Sequence, residues 1–122
     1  MGRNNLTGKW GESVAAEYLR KKGYRLLACN FRCRVGEIDL IAMRKDVLVF
    51  CEVKTRKDAS FAQAMEFVTA AKQQRLRLTA RLWLARQELS YEQCRFDVIE
   101  VYAPDGAETK RPKIRHIEGA FT

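Results

Sequence analysis

The sequence predicts an α/β fold, a mixed β-sheet flanked by helices in the order αβββαββ. Two observations carry that expectation. Apolar residues recur at helical spacing in two segments, and five short β-prone runs separate and follow them.

Thr7 is a candidate cap for a first helix running to about Lys22, with Gly23 as its stop. At 100° per residue, Trp10, Val14, Ala15, Tyr18 and Leu19 share one arc of it. Glu12 falls at the edge of that arc, where a carboxylate either faces water or reaches over the rim of a sheet. Residues 24–32, 37–44 and 47–54 then read as three strands of a meander. The stretch 55–68 has no clean period and is expected to be a loop with at most one helical turn, of a length that often borders a site. A second helix is expected from a cap at Thr69 to about Gln87, with CRFDVIEVYA and KIRHIEGAF as two closing strands around a PDG turn.

A chain of 122 residues suits one domain with a single core, and 47% hydrophobic against 31% charged residues is a globular composition. Neither repeats nor low-complexity segments interrupt it. The 23 Lys and Arg against 15 Asp and Glu give a formal charge of +8 and favour a polyanionic partner, nucleic acid before an acidic membrane surface. No apolar run is long enough to span a membrane, and the N-terminal residues lack the apolar centre of a secretory signal. A cytoplasmic protein that binds no membrane is therefore expected, with Cys29, Cys33, Cys51 and Cys94 as reduced thiols. Cys29 and Cys33 make one CxxxC pair, whereas zinc modules bring two tight pairs. The single His116 excludes any mechanism that needs two histidines and reads as a strand residue.

The segment GEIDLIAMRKDVLVFCEVKTR carries Asp39, Glu52 and Lys54 inside otherwise apolar strands. Alternation puts Ile38, Leu40 and Ala42 with Val49, Cys51 and Val53 on one face, and Glu37, Asp39, Ile41 and Met43 with Leu48, Phe50, Glu52 and Lys54 on the other. A two-residue hairpin loop at Lys45 and Asp46 sets Arg44 opposite Val47 and, counted outward, Asp39 opposite Glu52. Directly opposed Cβ atoms are roughly 5 Å apart, and like charges there need a compensating cation. Hard oxygen ligands at that spacing suit Mg²⁺ or Mn²⁺, and Lys54 can orient or deprotonate a water, a set that fits metal-assisted phosphodiester hydrolysis. The plainer alternative is an ion pair of Lys54 with either carboxylate at a solvated strand end. Asp97 and Glu100, on opposite faces of their strand, read as plain rim charges, with support of the metal ligands as the alternative.

In order and spacing, GE at Gly11 and Glu12, GEIDLIA, FCEVKTR, VTAAKQQRL, RFDVIEV and IRHIEGAF resemble the YraN-like family of small bacterial proteins, related to archaeal Holliday junction resolvases within the PD-(D/E)xK nuclease superfamily. The resemblance spans nearly the whole chain and implies a restriction-endonuclease-like fold. By it, Asp39 matches the metal-binding aspartate, Glu52 and Lys54 the ExK element, and Glu12 the carboxylate contributed by the first helix. Ile38 stands where the motif's proline is often found, which removes no ligand.

Gln73 opens a stripe with Leu76, Ala80 and Leu84, next to Trp83, and such a position often carries a polar helper in the superfamily; a partly buried glutamine bonded to backbone is the alternative. Lys72 and Arg75 lie on one flank of the same helix, as phosphate contacts or as a solvated face. Arg32, Arg34, Arg56 and Lys57 adjoin the acidic strands and are the preferred backbone-phosphate contacts. The expected function is a Mg²⁺- or Mn²⁺-dependent DNA endonuclease acting on branched or structured DNA. A non-catalytic nucleic-acid-binding module on the same fold is the competing reading. Cutting two strands with one site per subunit would favour a homodimer.

Overall fold

The computed structural model describes residues 2–57 and 69–121, with side chains from Thr7 onward. Helix α1 (Gly2–Lys21) leads to strands β1 (Arg25–Arg32), β2 (Glu37–Arg44) and β3 (Val47–Arg56), followed by helix α2 (Ala70–Leu84) and strands β4 (Gln93–Tyr102) and β5 (Lys113–Phe121). The expected αβββαββ order therefore holds. A short 3-10 turn, Gly106–Glu108, sits between the last two strands.

The strands form one five-stranded mixed sheet in the order β1-β2-β3-β4-β5. Short turns make the β1–β2 and β2–β3 pairs antiparallel, the longer connection 103–112 does the same for β4–β5, and β3 and β4, joined through α2, run parallel. Each face carries a helix and its own apolar cluster, which is why β2 and β3 are apolar on both sides. Ala15, Ala16 and Leu19 of α1 pack on Leu40, Ala42, Val49, Cys51, Ile99 and Val101. Leu76, Ala80 and Trp83 of α2 pack on Ile41, Met43, Leu48, Phe50 and Val98.

Thr7 is not the cap: α1 already begins at Gly2, because the apolar arc marks where the helix meets the sheet rather than where its backbone bonding starts. Gly23 does end it, at φ +92°, with the Tyr24 N–H donating to the Leu19 carbonyl at 2.9 Å. Thr69 caps α2, its hydroxyl oxygen accepting the Lys72 N–H at 3.1 Å, and the helix stops at Leu84, short of Gln87. Strand β3 continues through Thr55 and Arg56 because parallel pairing with β4 persists to Tyr102, so the loop expected from 55 begins later. Residues 58–68, where that loop and its helical turn were expected, lie outside the described residues.

Cys29, Cys33, Cys51 and Cys94 are free thiols. Among the described residues no helix is long and apolar enough to cross a membrane.

Candidate metal and phosphate site

The site forms where β2 and β3 part. Their ladder runs from Arg44 opposite Val47 to Leu40 opposite Cys51, the register set by the two-residue turn, and then ends. Beyond it β2 stays paired with β1 through Glu37, and β3 stays paired with β4 through Arg56. Asp39 sits in the fork, where its Oδ2 accepts the Val53 N–H at 2.7 Å and so satisfies a donor that the ended ladder would have left unpaired.

The fork also overturns the simple alternation expected of β2. Ile38 joins the α2-side cluster with Ile41, rather than sharing a face with Leu40 and Ala42 on the α1 side. Next to this point β1 carries Asn30 at φ +54°, between Cys29 paired to Leu40 and Phe31 paired to Ile38. A left-handed residue there interrupts the pleat of β1, so strict alternation does not carry across it, and a register shift between Leu26 and Ala28 interrupts it a second time.

Four expected residues line one cleft of about 1010 Å³: Glu12 from α1, Asp39 from β2, and Glu52 and Lys54 from β3. Arg56 and Lys57 extend one wall and residues 103–108 form another. Glu12 reaches the fork because Gly11 lets the helix lie against β3. A Cβ at Gly11 would meet the Thr55 hydroxyl oxygen at 1.9 Å.

Electrostatically the cleft is short of positive charge on its Asp39 side. Burial first, then the Glu52 carboxylate, with smaller contributions from Glu12 and Glu37, raises the Asp39 pKa to about 7 against the opposing Val53 hydrogen bond. Glu12 Oε1 is buried with no hydrogen-bond partner. Glu52, by contrast, is served by two ammonium groups, with its Oε1 3.1 Å from Lys72 Nζ and 3.5 Å from Lys54 Nζ. Burial pulls the Lys54 pKa below the ordinary lysine value, with Lys72 adding to the effect and Glu52 opposing it.

Among the described residues no three His, Cys, Asp or Glu side chains converge closely enough to hold a metal by themselves. Mg²⁺ and Mn²⁺ need fewer, since they keep several waters and bind through one or two carboxylates plus phosphate oxygens. The all-oxygen donors, the partnerless Glu12 oxygen and the crowded Asp39 carboxylate fit such an ion and give zinc no thiolate or imidazole.

The remaining expected residues divide. Gln73 turns to Arg77, whose Nη2 donates to its Oε1 at 3.2 Å, and lines neither cleft beside Glu52. Lys72 takes the place expected of it, since Lys72, Leu76, Thr79 and Trp83 occupy one face of α2 and the last three are buried. That spacing is present in the sequence, with Lys72 one turn before Leu76, whereas a stripe that starts at Gln73 points away from the cleft. Lys72 and Arg75 line a second, smaller cleft of about 210 Å³ with Glu37 and Glu52. Arg32 pairs with Glu37 at 3.0 Å on the surface, and Arg34 lies exposed in the turn between β1 and β2.

Arg56 lies in the cleft wall but gives its Nε to Glu100 Oε2 at 2.7 Å. Glu100 and Asp97 are not rim charges: both are buried, at 0% and 1% exposure. Glu100 Oε1 accepts from Tyr102 at 2.8 Å and lies 3.7 Å from Arg115. Asp97 accepts from Arg95 at 2.9 Å and from the Gly119 N–H at 3.0 Å, and contacts His116 Nε2 at 2.6 Å, while Tyr18 contacts the other ring nitrogen at 3.0 Å. These partners come from α1, β3, β4 and β5, and those outside β4 could not be paired with it from the sequence alone.

The chain matches the family model described as "Uncharacterised protein family UPF0102" over residues 11–101. It is similar to a UPF0102 protein of Symbiobacterium thermophilum, 51% identical over 115 residues that cover 93% of this chain and 94% of the relative. Another, from Caldanaerobacter subterraneus subsp. tengcongensis, is 46% identical over 114 residues, covering 93% of each chain. A third, from Nocardia farcinica, is 43% identical over 121 residues, covering 99% of this chain and 93% of the relative. The chain belongs to the uncharacterised protein family UPF0102, the YraN-like family that its motifs resemble.

Proposed function

We propose that this protein is a Mg²⁺- or Mn²⁺-dependent endonuclease that hydrolyses phosphodiester bonds in DNA, with branched or structured DNA as its substrate class. The observation that carries the reading is the meeting of Glu12, Asp39, Glu52 and Lys54 in one cleft at the β2–β3 fork. A net charge of +8 concentrates DNA at the surface without neutralising the Asp39 side of the cleft.

Asp39 and Glu52 would hold the ion, with Glu12 completing or supporting its shell. When bound, such an ion supplies Lewis-acid polarisation of a phosphoryl oxygen and a more acidic water. Lys54 orients the attacking water and takes its proton, a role for which burial suits it by favouring the neutral amine. The Val53 N–H fixes the Asp39 carboxylate, so the donor group is positioned before substrate arrives. Lys57 and Arg75, on the lining of the two clefts, supply positive charge for backbone phosphates, with Arg32 and Arg34 near the β1–β2 turn extending that surface. Cleavage of both strands of one substrate would use two subunits.

A second reading has its own observation. Glu52 is already paired with two lysines and among the described residues no three-ligand cluster is formed, as in a nucleic-acid-binding module whose catalytic site is idle. The two separate on labelled four-way junctions, flaps, nicked duplex and single strands incubated with Mn²⁺ or Mg²⁺. Metal-dependent products that vanish in Lys54→Ala support the enzyme. Binding with no product in either metal supports the module.

A further inference from the structure

Lys72 and a metal at the fork need the same atom. We propose that Lys72 is a positioning residue that competes with the metal for Glu52 Oε1, and that phosphate binding in the smaller cleft relieves the competition. The inference rests on the metal-site reading above.

Its basis is geometric. Lys72 Nζ lies 3.1 Å from Glu52 Oε1, nearer than Lys54 Nζ at 3.5 Å, and the side chains are mostly buried at 26%, 28% and 13% exposure for Lys72, Lys54 and Glu52. A divalent ion ligated by that oxygen would face two ammonium groups at contact distance in a poorly screened site. One contact has to break. Lys54 is held two residues along the same strand as Glu52. Lys72 comes from a separate element, and its long side chain has somewhere to go, because it also lines the smaller cleft with Arg75. The helix itself does not move aside: Thr69 caps its first turn, and Leu76, Thr79 and Trp83 anchor the same face against the sheet.

A phosphate oxygen between Lys72 and Arg75 would draw the ammonium from Glu52 and leave Oε1 to the metal. Each ligand then strengthens the other by the same factor, as linkage requires. Lys72 thus favours metal uptake on nucleic acid over uptake from solution.

The test is Mn²⁺ titration calorimetry on wild type and Lys72→Met, each checked for folding by circular dichroism, with Lys72→Gln as a second neutral variant. The titrations are repeated with a short phosphorothioate oligonucleotide that resists cleavage. Without oligonucleotide, the neutral variants should take Mn²⁺ roughly tenfold more tightly than wild type, the scale of one hydrogen bond to a charged group. The oligonucleotide should tighten Mn²⁺ binding in wild type and leave the variants nearly unchanged. Equal or weaker Mn²⁺ binding by variants of a wild type that binds would overturn the competition and leave the metal site standing. Failure of every protein to bind Mn²⁺, with or without oligonucleotide, would overturn both.

Discussion

The Asp39 carboxylate accepts the Val53 N–H across the β2–β3 fork at 2.7 Å, so the side chain that closes the end of a ladder is the same one proposed above to hold a metal. The two duties conflict electrostatically, since the Asp39 pKa is raised to about 7 by burial and then by Glu52. An acid whose folded pKa exceeds its unfolded value near 4 holds a proton in the native state that the unfolded chain releases. This group's contribution therefore falls as pH rises from about 4 to about 7 and is level above that. Chemical denaturation of the metal-free protein across this range should show that slope, and Asp39→Asn should remove most of it. The same proton should be released when Mn²⁺ binds near pH 6, which calorimetry in two buffers of different ionisation enthalpy detects.

Gly11 is the hinge between core packing and chemistry. With a Cβ meeting the Thr55 hydroxyl oxygen at 1.9 Å, Gly11→Ala must push α1 off β3 or rotate Thr55. A loss of about 1–3 kcal/mol is expected from overpacking, read by urea denaturation. Thr55→Ala in the same chain should return part of it. Because Glu12 follows directly, Gly11→Ala should also weaken Mn²⁺ binding more than its stability loss alone would suggest.

How legible this was differs from residue to residue. The hairpin turn at Lys45 and Asp46 carried the register as far as Leu40 opposite Cys51, so Asp39 and Glu52 could be counted to neighbouring positions from local rules, but the direct Asp39–Glu52 pair expected from that count is not part of the ladder. The detail of the fork could not be counted. The ladder ends at Leu40, and Ile38, paired to Phe31 just past the left-handed Asn30, packs on the α2 face, which period-two alternation has no means to anticipate. Lys72 was readable in principle, one turn before Leu76, once Thr69 is taken as the cap. Burial of Asp97 and Glu100 was not, because it depends on Arg56 of β3 and His116 and Arg115 of β5 arriving beside β4.

Asp97 makes its own pH prediction. Burial works against its charge, but His116, Arg95 and the Gly119 N–H outweigh it and hold the pKa below the ordinary aspartate value. A depressed acid contributes stability that is present above its unfolded pKa and lost as pH falls through its folded one. Asp97→Ala should therefore cost about 3 kcal/mol at pH 7, the scale of a buried charge network missing one partner, and less as the pH falls below about 4. Mn²⁺ affinity should be unchanged, since Asp97 lines neither cleft.

Lys54→Ala separates binding from chemistry. The variant keeps all three carboxylates of the cleft, so Mn²⁺ affinity should be retained or rise slightly. DNA cleavage should fall by 10²-fold or more, on the order of general base contributions. Full cleavage by this variant would remove the role assigned to the lysine.

The central claim is that the carboxylates at the fork hold a divalent metal. Calorimetric titration of Mn²⁺ into wild type and Asp39→Asn, with circular dichroism confirming both folds, tests it most directly. One binding event per chain is expected in wild type, with its loss in a folded Asp39→Asn. Equal affinity in the two proteins would contradict it.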